Sequence, residues 1–123
     1  MPHIFPFMIA YADTDAGGIV YHARYIEIAE RARMDWWKQM GLWSLDSGFA
    51  VAELAIKYKR PLHLADEITV ETRATSVGAA TICVEQKFIK NGEICAIMTV
   101  KVAHLDRNLK PVRIPAEWAE QLI

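Results

Sequence analysis

Neither sign of charge is in surplus in this chain. Lys and Arg number 14 against 15 Asp and Glu, a formal net charge of −1. Nucleic acids and anionic membranes are held by a basic field, so neither is expected as a partner. Cysteine is scarce: Cys83 and Cys95 are the only two, they form no CxxC pair, and both sit in strand-like runs, where reduced, buried thiols are expected. The four histidines, His3, His22, His63 and His104, lack the spacing of a metal site, so no metal is expected. No apolar run approaches the roughly 20 residues of a membrane span, and MPHIFPFMIAYADTD has no basic start or long apolar stretch of a signal peptide. The expectation is a cytoplasmic protein without membrane insertion. A GxSxG elbow, a Walker loop, a GxGxxG fingerprint and an HExxH helix are also missing, which removes the common serine-nucleophile, nucleotide and zinc machineries.

What is present suits one domain spanning 1–123, with 53% hydrophobic residues to build a single core. Phe5, Phe7, Ile9 and Tyr11 alternate with Pro6, Met8 and Ala10, predicting a first strand in which Pro6 requires an edge or starting position. From about His22 to Met40 the period becomes helical: Tyr25, Ile28, Ala29, Ala32, Trp36 and Met40 form one stripe, and Gly41 follows where a left-handed cap is expected. Ile26, Met34 and Trp37 widen the apolar face, so the helix needs cover on more than one side. Trp36 and Trp37 read as core and rim, and Glu30 with Arg33 as an ion pair on a solvated face.

The remainder reads as strand. Leu54, Ile56 and Tyr58 alternate within 49–58, and Ile68, Val70, Thr72 and Ala74 alternate with polar residues. Asn91-Gly92, between the β-rich runs 80–90 and 93–105, predicts a type I′ hairpin. After Pro115 a short helix carries Trp118 and Leu122. One apolar-belted helix and one antiparallel sheet make an α+β domain, and a single helix leaves sheet surface for another subunit to cover.

The chemistry-bearing segment is Asp13-Thr14-Asp15-Ala16-Gly17-Gly18, running into the helix. Asp and Gly are ordinary turn residues, and an aspartate near a helix start can cap it. The same residues also suit carbonyl chemistry. Unpaired N–H groups at a helix start polarise a carbonyl, a nearby carboxylate attacks it or activates water, and Gly17 and Gly18 allow a ligand close approach. Asp13 reads as a loop-shaping residue. Glu53, in the apolar AVAELAI run, is either a second carboxylate or half of an edge salt bridge. Lys57, Lys59 and Arg60 form the densest basic cluster, equally readable as a charged strand end or as a contact for phosphates.

The run from Tyr11 to Arg33, YADTDAGGIVYHARYIEIAERAR, resembles the signature of the 4-hydroxybenzoyl-CoA thioesterase family, nearest to its Tol-Pal-associated short-chain acyl-CoA branch. Lys59-Arg60-Pro61 and the run from Asp66 to Thr72 extend the likeness. The resemblance implies a hotdog fold, a long central helix wrapped by a roughly five-stranded antiparallel sheet. It implies homodimers with sites at their interface, often paired into a homotetramer. It further implies metal-independent hydrolysis of an acyl-CoA thioester with no cofactor, coenzyme A being part of the substrate. By position Asp15 matches the catalytic aspartate, as nucleophile or general base, and the His22 backbone N–H matches the group that polarises the carbonyl. Gly17, Gly18, Tyr25, Lys59 and Arg60 are the expected substrate-binding residues. The loop Ser76-Val77-Gly78-Ala79-Ala80 lacks the cations some family members carry there. A non-catalytic acyl-CoA-binding or scaffold protein and an enoyl-CoA hydratase are the alternatives.

Overall fold

Asn91 and Gly92 take φ of 50° and 79°, the paired positive angles of the type I′ turn, and Lys90 faces Glu93 across it. The hairpin they close is the middle of the sheet. The computed structural model, which describes residues 2–122, comprises β1 (His3–Met8), a 3₁₀ turn (Tyr11–Asp13), α1 (Arg24–Gln39), β2 (Ser47–Tyr58), β3 (Glu67–Val77), β4 (Thr81–Lys90), β5 (Glu93–Asp106) and α2 (Ala116–Leu122). The strands form one antiparallel sheet in the order β1-β3-β4-β5-β2. This is the α+β arrangement expected of a hotdog fold.

β1 lies at an edge, where the missing N–H of Pro6 costs no ladder bond. It ends at Met8, earlier than the alternation suggests. Tyr11 belongs to the 3₁₀ turn and is 84% exposed, because Asp13 pulls the chain out of the strand through the Ala10 N–H.

Ile82, Val84, Gln86 and Phe88 of β4, with Ala96, Met98, Val100 and Val102 of β5, point to one face and are buried. Tyr25, Ile28, Ala29, Ala32, Trp36 and Trp37 of α1 complete this core. Ala29 and Ala32, fully buried, keep the helix axis close to the sheet. Each large side chain buried here contributes about 1.5–3 kcal/mol. Both tryptophans are core, stacked at 4.6 Å between centroids, so Trp37 is not a rim residue.

The helix ends as Gly41 requires. Gly41 has φ 72°, its N–H donates to Lys38 O and the Leu42 N–H to Trp37 O, a Schellman cap. At the other end α1 begins two residues later than expected. Tyr21 to Ala23 form a turn closed by the Arg24 N–H on Tyr21 O, and no side chain caps the helix.

Arg33 corrects the expected solvated face. It is 6% exposed, and its Nη1 donates to Gln86 Oε1 at 2.9 Å, while Gln86 Nε2 donates to Ala29 O and Thr72 Oγ1. The pairing with Glu30 gives way because a buried β4 glutamine offers the guanidinium an acceptor that solvent cannot compete for. Burial holds the Arg33 pKa below its ordinary value, opposed by the charge of Glu30. Cys83 is half-buried and Cys95 buried, both free.

Candidate active site

The loop between the 3₁₀ turn and α1 is a tight hairpin. The Asp15 N–H donates to Ile19 O at 2.9 Å, the Gly18 N–H donates to Asp15 O at 3.1 Å, and Gly18 turns the chain at φ 81°. The returning strand is stitched to the segment before β3: Val20 N–H to Leu62 O, and Leu64 N–H to Gly18 O. The loop is thereby fixed on both sides although it is surface backbone.

Its two aspartates do different things. Asp13 is buried, with Oδ2 accepting the Ala10 N–H and Oδ1 accepting Arg24 Nε, each at 2.8 Å. It ties the loop to the first residue of α1 and is the loop-shaping group expected. The same ion pair, with burial opposing it and Glu27 adding to it, raises the Arg24 pKa. Asp15 is exposed. Its Oδ1 accepts the Gly17 N–H at 2.8 Å in an Asx turn, and its other oxygen has no hydrogen bond among the described residues. It does not cap α1.

A cavity of about 420 Å³ opens beside Asp15, walled by Ile19, Tyr21, His22, Tyr25, Tyr58 and Lys59, and bounded by Arg60 and Pro61. The fold thus brings together Asp15, His22, Tyr25, Lys59 and Arg60 of the expected residues. Gly17 and Gly18 stay outside this wall: Gly18 serves the turn, and Gly17 serves Asp15. A Cβ at Gly17 would stand 3.2 Å from Asp15 Oδ1, so the missing side chain is what leaves the carboxylate its position. Glu53 is exposed beside a bulge of β2, opposite Lys101, and does not line this cavity.

The helix start is open to the cavity. The N–H groups of His22 and Ala23 have no acceptor among the described residues, and α1 adds the partial positive charge of its N-terminus. Tyr58, a residue sequence reasoning treated only as a strand position, donates its hydroxyl to His22 O at 2.6 Å and so fixes the peptide between His22 and Ala23. Tyr25 stands edge-on to both Tyr58 and Phe88, with centroids 5.1 Å apart in each pair. Burial raises both phenol pKa values, so both stay protonated at neutral pH. No local pattern marks Tyr58, since its partner is 36 residues away in sequence.

A larger cavity, about 490 Å³, lies between α1 and the start of β2, bounded by Arg33, Trp37, Phe49 and Val51. It contains none of the expected site residues. The smaller cavity is the better site on chemistry, having a free carboxylate, open N–H donors and cations together.

A carboxylate with one free oxygen, in the wall of the same cavity as a helix start with unpaired N–H groups, is equipment for attack on a polarised carbonyl. Residues 9–122 match the profile of the Thioesterase-like superfamily, and the chain belongs to that family. It is 41% identical over 120 residues to an acyl-CoA thioesterase, YbgC, of Haemophilus influenzae, covering 92% of this chain and 88% of that one. It is 28% identical over 109 residues to a 1,4-dihydroxy-2-naphthoyl-CoA hydrolase of Synechococcus elongatus, covering 82% and 78%. Among solved structures, a probable thioesterase from Bartonella henselae superposes with a TM-score of 0.88 at 29% identity, covering 94% of this chain and all of the other.

Proposed function

We propose that the protein hydrolyses an acyl-CoA thioester to a free acid and coenzyme A, with Asp15 as the catalytic carboxylate and the N–H of His22 as the polarising donor. The observation carrying this is the free oxygen of Asp15 in one cavity with an uncapped helix start. The thioester oxygen accepts the hydrogen bond, which stabilises the negative charge that develops there on attack. Asp15 acts either as nucleophile, giving an anhydride that water then opens, or as the base that takes a proton from the attacking water. In both cases the C–S bond breaks and the thiolate leaves as coenzyme A. In this proposal no metal or cofactor takes part in the step. Membership of the superfamily and the names of its relatives favour hydrolysis over the hydratase and binding-only alternatives.

β2 supports a dimer. It is a 12-residue edge strand exposed along most of its length, carrying Val51, Leu54 and Tyr58 into solvent. So long an unpaired edge is covered in stable proteins. Pairing with a symmetry copy, antiparallel, would set the Tyr58 end of one strand beside the Ser47 end of the other. The Asp15 cavity of one protomer would then adjoin the larger groove of its partner, giving the acyl group a two-subunit pocket. A tetramer of two dimers follows the family resemblance, and a cytoplasmic location follows the scarce cysteines and the absence of a signal-peptide pattern; among the described residues no helix is long and apolar enough to cross a membrane.

The test is thiol release across aromatic, short-chain and long-chain acyl-CoA esters. Release from at least one class, without water addition to an enoyl-CoA, is the expected result. Saturable binding with no thiol released would favour the binding-only alternative.

A further inference from the structure

The loop before the β4–β5 hairpin, Ser76 to Ala80, carries no cation that could hold a phosphate. That loop is occupied otherwise here: Ala79 O and Ala80 O accept the N–H groups of Ile114 and His104. A second depression, about 370 Å³, adjoins the Asp15 cavity and shares Arg60 and Pro61 with it. Its other walls are His63, Lys90, Asn91, Glu93 and Cys95, so it runs from the loop after β2 to the tip of the β4–β5 hairpin. A ligand leaving the catalytic cavity past Lys59 crosses Arg60 and enters it.

We propose that this depression is the phosphate subsite, and that the nucleotide end of coenzyme A lies over Arg60, His63 and Lys90 at the hairpin tip. The assignment rests on the thioesterase reading for the identity of the ligand. Its chemistry comes from the ion pairs. Arg60 Nε is 3.3 Å from Glu93 Oε2, with both side chains more than half exposed, a pair worth little and easily exchanged. The two terminal nitrogens of Arg60 are free to take a phosphate in fork geometry. Lys90 is aimed by Asp66, whose Oδ1 is 2.8 Å from its Nζ, and retains further N–H donors for an anion. The His63 backbone N–H donates to Asp66 Oδ2, and its half-exposed ring, with Nδ1 3.8 Å from the same oxygen, stands on the rim. Glu93 is the one carboxylate in the wall of the depression. It holds Arg60 when the subsite is empty and repels phosphate when it fills.

The opposing role of Glu93 makes the proposal testable. Coenzyme A and pantetheine, which lacks the phosphates, are titrated calorimetrically into the wild-type protein and into Arg60→Ala, Lys90→Gln and Glu93→Gln. The readout is the preference for coenzyme A, the ratio of the two dissociation constants. It should fall about tenfold in Arg60→Ala and about threefold in Lys90→Gln, and rise about threefold in Glu93→Gln, as loss and gain of net positive charge at a phosphate require. Glu93→Gln decides: a preference that stays level or falls overturns the proposal, since a merely structural Arg60–Glu93 pair predicts no gain. If thiol is released from acyl-CoA but the preference does not move, the subsite fails and the hydrolase reading stands. If the preference moves as stated but no acyl-CoA is hydrolysed, the hydrolase reading fails and the subsite stands.

Discussion

The loop before α1 has a buried half and an exposed half, each built around an aspartate, and the two differ in what the fold leaves free. Around Asp13 every carboxylate oxygen is engaged, one by the Ala10 N–H and one by Arg24. Around Asp15 the backbone is just as tightly held, through Ile19, Leu62 and Leu64, yet the carboxylate keeps one oxygen open beside a cavity. Rigidity at Asp15 comes from neighbouring peptides and not from its own side chain. That is how a site group is positioned without being neutralised.

Exchanging the chemistry of the two halves gives the largest expected effect. Asp15→Asn keeps the Asx turn but removes the charge, and thiol release should fall by about 10²–10⁴-fold, as expected for loss of a catalytic carboxylate, in a stopped assay on the best acyl-CoA. Asp13→Ala should act on stability instead. Removing one partner of a buried charged contact costs about 2–3 kcal/mol, reduced from the fully buried case because Arg24 is partly exposed. Thermal unfolding should register this as a fall of roughly 5–12 °C.

Finer changes sharpen the contrast. Tyr58→Phe removes the hydroxyl that fixes the His22 peptide, and one neutral hydrogen bond of about 1 kcal/mol predicts a roughly fivefold lower kcat with little change in KM. Gly17→Ala presses a Cβ toward Asp15 Oδ1, and a severalfold loss of turnover without a matching loss of melting temperature is expected. The smallest effect is none: dialysis against EDTA should leave the rate unchanged, because in the proposed mechanism a carboxylate and N–H donors carry the step.

Much of this was legible before folding. Asn91-Gly92 specifies its turn because both residues accept positive φ, and Gly41 specifies the end of α1 for the same reason. The alternation of Ile68, Val70 and Thr72 in β3 specified its buried face. Asp15 and the helix start were legible because they lie in one continuous segment. Arg33 was not, since its charge suggests solvent and only a glutamine on a distant strand makes burial tolerable. The contact of Tyr58 with His22 and the adjoining of Arg60 to Lys90 were hidden likewise, being made by tertiary packing between segments far apart in sequence. The glycines suggested ligand approach by their permissiveness, and the structure puts that freedom to a further use, a turn at Gly18 and the placement of one carboxylate at Gly17.

The most direct test sets Asp13→Asn and Asp15→Asn side by side, with thermal unfolding and thiol release measured on the same preparations below both melting temperatures. Asp15→Asn should melt with the wild type and release almost no thiol, while Asp13→Asn should melt early and, while folded, turn over within about tenfold of wild type. Wild-type turnover in Asp15→Asn, or loss of turnover in folded Asp13→Asn to the level of Asp15→Asn, would contradict the assignment.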